Sequence, residues 1–276
     1  MLPPRPIESK EAELSTCVLL PTASTGEWLD LAVRSVLESD STTRVLVVFD
    51  GVPPTLDRWW VKDERVSYLE RTTSQGLAAA LNAGLAAIDA EFVARLDADD
   101  VALRGRFLKQ EEFLRSHPEF GAVSGSAILI DEAGMPLGHL DASAGSAADI
   151  RRSLLQRNRL IHPAVMYRRS VVVSAGGYDE SLRYMEDYEL WLRLSLETSI
   201  AATSEPVIKY RLHASQMTKA APAHGQHVRK VLHGRRRLAR SLGVSPIWVE
   251  SLNAAWVANQ FLRVLRARLR AKSLKK

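Results

Sequence analysis

Apolar positions along the chain alternate between two spacings. Cys17-Val18-Leu19-Leu20 is an uninterrupted run of strand length closed by Pro21-Thr22, and Leu29, Ala32, Val33, Val36 and Leu37 then recur at helical spacing. Val45 to Phe49 is a second continuous run, closed by Asp50-Gly51, with a weaker strand at Val66 to Leu69. Leu77, Leu81, Leu85 and Ile88 mark a second amphipathic helix, and Phe92 to Leu96 a further strand. The pattern continues with a strand over Gly121 to Ile130, a helix over Ala147 to Arg157 and a strand over Ile161 to Tyr167. A helix over Glu186 to Leu196 and a last strand or extended segment over Pro206 to His213 complete it. Strands that are apolar throughout, alternating with helices, predict an α/β fold with a mixed, mostly parallel central sheet flanked by helices.

Beyond about Thr218 the character changes. Ala220 to Gly225 reads as a linker, followed by helices over Val228 to Leu242 and Pro246 to about Leu269. In the second, Trp248, Leu252, Trp256, Leu262, Leu265 and Leu269 can share one face, flanked by Arg263, Arg266 and Arg270. The expected organisation is a leader over 1–13, a body over 14–218 divisible near 125, and a basic helical C-terminal extension over 219–276. Charge sharpens that division. From His227 to Lys276 there are 13 Lys and Arg against one acid, Glu250, so the net charge of +5 hides an acidic body of about −7. A basic tail on an acidic body calls for an anionic partner for the tail alone. Its apolar stripe has three readings: packing on the body or a homo-oligomer seam, an anionic membrane surface, and, least supported for want of any nucleic-acid motif, nucleic acid.

A hydrophobic content of 46% provides a sizeable core and excludes disorder of the whole chain. The one cysteine, Cys17, sits in an apolar run and reads as a buried thiol, which suits a reducing compartment. No stretch approaches the roughly 20 consecutive apolar residues of a membrane span, and Met1 to Glu13 lacks the apolar core of a secretion signal. The expectation is a cytoplasmic protein, soluble or held peripherally at the inner face of the cell membrane.

Ligands of such sheets bind beyond the carboxyl ends of the strands. Asp50 and the Asp97-Ala98-Asp99-Asp100 cluster lie there. Like charges this close repel unless a cation intervenes, and oxygen ligands of this kind suit Mg²⁺ or Mn²⁺ shared with a phosphate. Asp100 could instead cap a following helix. Glu186 and Asp187 open a helix whose apolar face is Leu190, Trp191 and Leu194; a carboxylate there could take a proton from a hydroxyl, or simply cap. Gly76, Asn82 and Gly84 surround the start of the second helix without forming a dinucleotide or Walker fingerprint. His162, Arg168 and Arg169 are candidates for acceptor or phosphate contact.

Taken in order, Pro21-Thr22, Asp50-Gly51, Gly76-Leu77-Ala78 with Leu81-Asn82-Ala83-Gly84, Ala94-Arg95-Leu96-Asp97-Ala98-Asp99-Asp100 and Glu186-Asp187-Tyr188-Glu189-Leu190-Trp191 resemble family 2 glycosyltransferases of the GT-A fold. His162-Pro163-Ala164-Val165-Met166, Gly176-Gly177-Tyr178-Asp179 and Tyr210-Arg211-Leu212-His213 are similar to segments of bacterial members that build surface polysaccharides and lipopolysaccharide. The resemblance covers roughly Ser15 to Ser215. It implies that Asp50 reads the nucleobase or ribose, with Pro21 and Thr22 along the same pocket and Gly76 and Asn82 among the donor-binding residues. It places Arg95 near the donor, Asp97 at its ribose, sugar or metal, and Asp99 as the principal metal ligand, with His213 touching the metal or diphosphate. Asp187 matches the catalytic base and Glu186 its support. Residues 14–125 become the donor half and 126–218 the acceptor half. Two segments depart from the family pattern, Ala23-Ser24-Thr25 and Phe49-Asp50-Gly51-Val52, so the base preference is not carried over.

The chemistry then expected is a single displacement with inversion, using Mn²⁺ or Mg²⁺, a nucleotide-diphosphate sugar donor and a glycan or lipid-linked acceptor. The alternatives are a nucleotidyltransferase, which would usually carry a basic glycine-rich loop where Ala23-Ser24-Thr25-Gly26 stands, and a catalytically silent module that binds sugar nucleotides or polysaccharide.

Overall fold

The computed structural model describes residues 16–40, 43–54, 57–142, 145–214, 216 and 221–273, with side chains to 266. The expected leader over 1–13, and the side chains of Leu269 and Arg270, lie outside the described residues.

The first apolar run forms β1 (Thr16–Thr22), followed by α1 (Glu27–Ser39), and the second forms β2 (Arg44–Asp50). β3 (Val66–Arg71), α2 (Leu77–Ala87) and β4 (Phe92–Arg95) complete a parallel unit in the order β3-β2-β1-β4. Registers such as Leu20 against Val47 and Leu19 against Arg95 bring the carboxyl ends of β1, β2 and β4 to one edge. Strands covered on both faces bury every side chain, which is why β1 is buried along its whole length. α2 packs against β1 and β2 at Gly84, where an added Cβ would lie 2.2 Å from Leu19 Cδ1; only glycine admits so close an approach.

After β4 the chain forms β5 (Val101–Ala102), α3 (Arg106–Ser116), β6 (Phe120–Ile130) and β7 (Pro136–Leu140). α4 (Ala147–Leu154), β8 (Val165–Arg168), α5 (Arg169–Ser174), α6 (Glu186–Leu194) and β9 (Ser199–Arg211) follow. The sheet runs β3-β2-β1-β4-β8-β6-β9-β5, with β7 on the side of β6. β8 is antiparallel to both β4 and β6, and β6 is parallel to β9. The division expected near residue 125 falls inside β6, at a register shift between Ser124 and Ser126.

Three differences from the sequence pattern have physical causes. The helix after Asp100 carries no bounds in the apolar pattern because the buried face of α3 includes Arg106 and Gln110 beside Phe107 and Leu114, and polar residues conceal the period. The strand expected from Ile161 begins only at Val165, because Pro163 lacks a backbone donor and His162–Ala164 forms a 3₁₀ turn. β9 begins at Ser199, earlier than expected, because the exposed Ser204 and Glu205 interrupt its apolar run.

The tail forms α7 (Gln226–Ser241) and α8 (Pro246–Ser273). α7 packs on α6 and α8 on α7. Val228, Val231, Leu238, Val249 and Trp256 join the main core, so this part of the extension packs on the body. Among the described residues no helix is long and apolar enough to cross a membrane.

Candidate active site

Beyond the end of β4 the chain turns sharply, with Asp100 N–H donating to the Asp97 carbonyl at 3.2 Å. The turn gathers carboxylate oxygens of Asp97, Asp99 and Asp100 within 4.8 Å of one another. Each acid has its own counterpart. Asp97 Oδ1 accepts from Arg95 Nη2 at 2.5 Å, and that guanidinium is fully buried, with Nε and Nη1 unbonded. Asp99 Oδ2 lies 2.6 Å from His213 Nε2. Asp100 Oδ1 accepts the Arg211 N–H at 2.8 Å, while its buried Oδ2 has no hydrogen-bond partner. The capping role open to Asp100 is overturned: α3 starts only at Arg106, after Gly105, and the carboxylate ties β9 to the turn instead.

Burial, joined by the neighbouring Asp97 charge, raises Asp99, with the His213 contact opposing; burial, Asp97 and Asp99 hold Asp100 well above the usual carboxylate range. An orphaned buried oxygen within a repelling triad of hard oxygen ligands fits a small divalent cation.

Arg211 braces this turn and was not singled out by the sequence reading. Its Nε donates to the Asp99 carbonyl at 2.9 Å and Nη1 to those of Asp131 and Glu132 at 3.0 Å, while its guanidinium lies over Trp28 at 5.2 Å. Trp28 also tilts against His213 at 5.0 Å. The last strand, α1 and the acidic turn therefore meet at His213.

The second acidic pair opens α6. Met185 precedes it at φ 60°, the only described non-glycine residue with positive φ, a conformation that persists where the surroundings enforce it. Asp187 Oδ1 accepts its neighbour's N–H, Tyr188, at 2.7 Å, and Oδ2 accepts Asn158 Nδ2 at 2.7 Å. Asn158, another residue the sequence did not signal, thus orients the carboxylate. Burial raises Asp187, opposed by the Tyr188 and Asn158 hydrogen bonds. Burial, joined by the Asp187 charge, pushes Glu186 up to about 7. The Arg95 charge favours ionisation of both, and Asp97 disfavours that of Glu186, so Arg95, which is bonded to Asp97, also acts on the pair that opens α6. Burial, the largest single influence, lowers Arg95, but Asp97 together with Tyr178 and Tyr167 raises it overall.

The other candidates divide. Pro21 and Thr22 are buried at the end of β1, with Thr22 Oγ1 bonded to the Ser24 backbone. Asp50 accepts from Ser74 Oγ at 2.7 Å and Gly76 N–H at 3.2 Å and pairs with Arg71 at 3.0 Å, so its carboxylate holds the loop that leads into α2. Gly76 is the residue before that helix, at φ 97°. Asn82 clasps Tyr178, donating to its carbonyl and accepting its N–H, both at 2.8 Å. His162 is buried against Tyr178 Oη at 2.9 Å and is held neutral by burial and Arg95. Arg168 pairs with Phe92 at the amino end of β4 and Arg169 donates to the Leu85 carbonyl, so neither joins the acidic clusters.

This arrangement at the strand ends agrees with the matches to known proteins. The model of the family described as Glycosyl transferase family 2 matches residues 17–173. The chain belongs to that family. Relatives of this glycosyl transferase include the amylovoran biosynthesis glycosyltransferase AmsE of Erwinia amylovora, 40% identical over 146 residues, 52% of this chain and 53% of that protein. The O-antigen biosynthesis glycosyltransferase WbnJ of Escherichia coli is 27% identical over 207 residues, 72% of this chain and 80% of that one. The matches to the first three curated relatives cover 53%, 66% and 52% of their lengths. Among solved structures, S. aureus TarS with UDP-GlcNAc superposes with a TM-score of 0.66 at 14% identity, over 88% of this chain and 71% of that one. A Pyrobaculum calidifontis mannosyltransferase with GDP-Man and Mn²⁺ gives 0.61 at 17% identity, over 94% and 75%. The family 2 chain therefore has the GT-A fold, with a helical C-terminal end.

Proposed function

We propose that the protein is an inverting, metal-dependent glycosyltransferase that moves a sugar from a nucleotide-diphosphate sugar to an acceptor hydroxyl in cell-surface polysaccharide or glycolipid biosynthesis. The observation that carries this reading is that the Asp97-Asp99-Asp100 turn and the Glu186-Asp187 pair that opens α6 are both acted on by the one buried Arg95, which is bonded to Asp97. The likeness to proteins named for amylovoran and O-antigen biosynthesis supports the biosynthetic setting. Solved neighbours holding UDP-GlcNAc, and GDP-Man with Mn²⁺, support the donor class.

Asp99 and His213, with Asp97 beside them, would hold Mn²⁺ or Mg²⁺, which when bound offsets the negative charge that develops on a departing diphosphate. Asp187 accepts the acceptor's proton as that oxygen bonds to the anomeric carbon from the face opposite the diphosphate. The bond from the anomeric carbon to the diphosphate oxygen breaks, the nucleoside diphosphate leaves with the electron pair, and the configuration inverts. Asn158 and the Tyr188 N–H keep the Asp187 carboxylate oriented, and Glu186 supports it from the adjacent position. Pro21, Thr22, Gly76, Asn82 and Asp50 shape the nucleoside side; Asp50 does so by fixing the 74–76 loop. Residues 14–125 form the donor half and 126–218 the acceptor half, and a glycan or lipid-linked acceptor places the enzyme in the cytoplasm at the inner face of the cell membrane.

A thermal-shift panel tests this: UDP, GDP, CDP, TDP and their sugar conjugates, each with Mn²⁺, Mg²⁺ or EDTA. Selective binding at one hundred times Kd adds about 2.7 kcal/mol to folding stability. One nucleotide should raise the melting temperature with metal and lose that effect in EDTA, and its sugar conjugate should turn over. Binding without turnover on any acceptor would leave a silent sugar-nucleotide module; no shift across the panel would remove the donor site altogether.

A further inference from the structure

We propose that the outward face of α8 docks on an anionic lipid surface, an inference independent of the chemistry assigned to the acidic clusters. The inner face of this helix is committed to the protein. Val249, Asn253 and Trp256 are buried, Trp256 stands edge-on to Tyr188 at 6.2 Å with the Arg235 guanidinium over it, and Arg263 donates to the Ala221 carbonyl. The opposite face is apolar and open: Ile247 is 82% exposed, Phe261 51% and Leu265 53%, with Trp248 and Leu262 beside them. Positions 247, 251, 254, 258, 261 and 265 are spaced by three and four residues and so lie on one line of the helix. The intervening Ser251, Ala254 and Ala258 are small, and the line contains no charge. Its ends, Ile247 and Leu265, are 18 residues and so roughly 27 Å apart.

Charge selects the occupant. The one acid of the last fifty residues, Glu250, is held by Arg236 through two contacts of 2.6 and 2.9 Å. The sequence beyond the exposed Arg266 adds Lys or Arg at 268, 270, 272, 275 and 276 and no acid. An apolar helix face followed by a stretch of sequence with cations and no acid matches a lipid surface whose headgroups carry phosphate: the large side chains enter the acyl boundary and the cations meet the headgroups. A second copy would add the same cations to the contact without an acid to balance them. Nucleic acid would engage the cations and leave Ile247, Phe261 and Leu265 in water. An isolated apolar side chain on a surface needs no explanation, whereas a continuous face built from several does.

Co-sedimentation of the full chain with vesicles of phosphatidylcholine, alone or mixed with phosphatidylglycerol, tests the proposal. The protein should bind the mixed vesicles, bind neutral ones far less, and lose affinity at high salt. The exposed double substitution Phe261→Asp with Leu265→Asp should weaken binding by about tenfold or more, with circular dichroism and melting temperature unchanged. Arg266→Glu should weaken it severalfold. Equal binding by the parent and the double variant, equal binding to neutral and anionic vesicles, or no vesicle binding but a dimer that the same substitutions dissociate would each overturn it. Because vesicle binding and nucleotide-induced stabilisation are read separately, failure of either assay leaves the other conclusion standing.

Discussion

Asp187 and Glu186 are adjacent, yet their surroundings separate their protonation. Asp187 receives two hydrogen bonds, from the Tyr188 N–H and Asn158, which favour its ionised form. Glu186, buried without side-chain donors, rises from an ordinary value near 4.5 to about 7. Asp187→Asn keeps the shape and the Tyr188 contact but cannot take a proton. Turnover should fall by about 10²–10⁴-fold, the usual worth of a general base, while the donor dissociation constant, read by calorimetry, stays within about threefold of the parent. Equal turnover would exclude Asp187 as the base. Glu186 yields a stability prediction. A carboxyl whose folded value exceeds its unfolded one contributes most below the unfolded value, and that contribution is lost as pH rises through the folded value. The window is therefore about 4.5 to 7. Glu186→Gln should match the parent near pH 4 and exceed it at pH 8 by of order 2–3 kcal/mol, or roughly 5–10 °C in melting temperature. Parallel melting curves at the two pH values would show that Glu186 is already ionised in the fold.

At the scale of elements, the site depends on joints that bring distant segments together. Asn82, in the middle of α2, bonds both the N–H and the carbonyl of Tyr178, and donates to Glu180 at 2.8 Å. Gly177 makes room for it: with φ 69°, an added Cβ there would meet Asn82 Oδ1 at 2.6 Å. Asn82→Ala leaves the Tyr178 backbone groups unpartnered and should cost about 2–3 kcal/mol in urea denaturation, since buried groups left unsatisfied lose about 1–3 kcal/mol each. An unchanged midpoint would mean that water replaces the side chain. This joint also marks the limit of sequence reading. Runs such as Val45 to Phe49 announced their strands, and Asp97 to Asp100 announced a cluster, because both signals are local. Asn158 gave no such signal, and Arg211 stood only within the Tyr210-Arg211-Leu212-His213 segment with no role: their partners, Asp187 and Asp99, lie far away in the chain and only the folded sheet makes them neighbours. The bounds of α3 stay hidden for the related reason that buried Arg106 spends its guanidinium on the Arg95 and Val165 carbonyls, a pairing that binary patterning counts as polar surface.

At the scale of the whole molecule, the basic tail is built into the body before it offers any surface outward. Trp256 of α8 lies against Tyr188, the residue after Asp187, and Tyr188 Oη donates to the Leu154 carbonyl at 2.5 Å. The order of contacts is thus α8, α6, then the carboxylate pair, so the last helix shares the free energy of the site although it supplies no group to it. Trp256→Ala should destabilise the entire fold by about 3–5 kcal/mol, the usual cost of removing a buried aromatic. The same change should lower kcat more than it raises KM for the donor, because the start of α6 loses its backing while the Asp97 to Asp100 turn is untouched. Urea unfolding followed by tryptophan fluorescence and by far-ultraviolet dichroism should give one coincident transition, shifted as a unit, as expected of a cooperative domain. A tail that unfolded by itself at low urea, with the remaining transition in its original place and kcat retained, would instead make α7 and α8 an appendage, and the path from α8 to Asp187 would carry no energy.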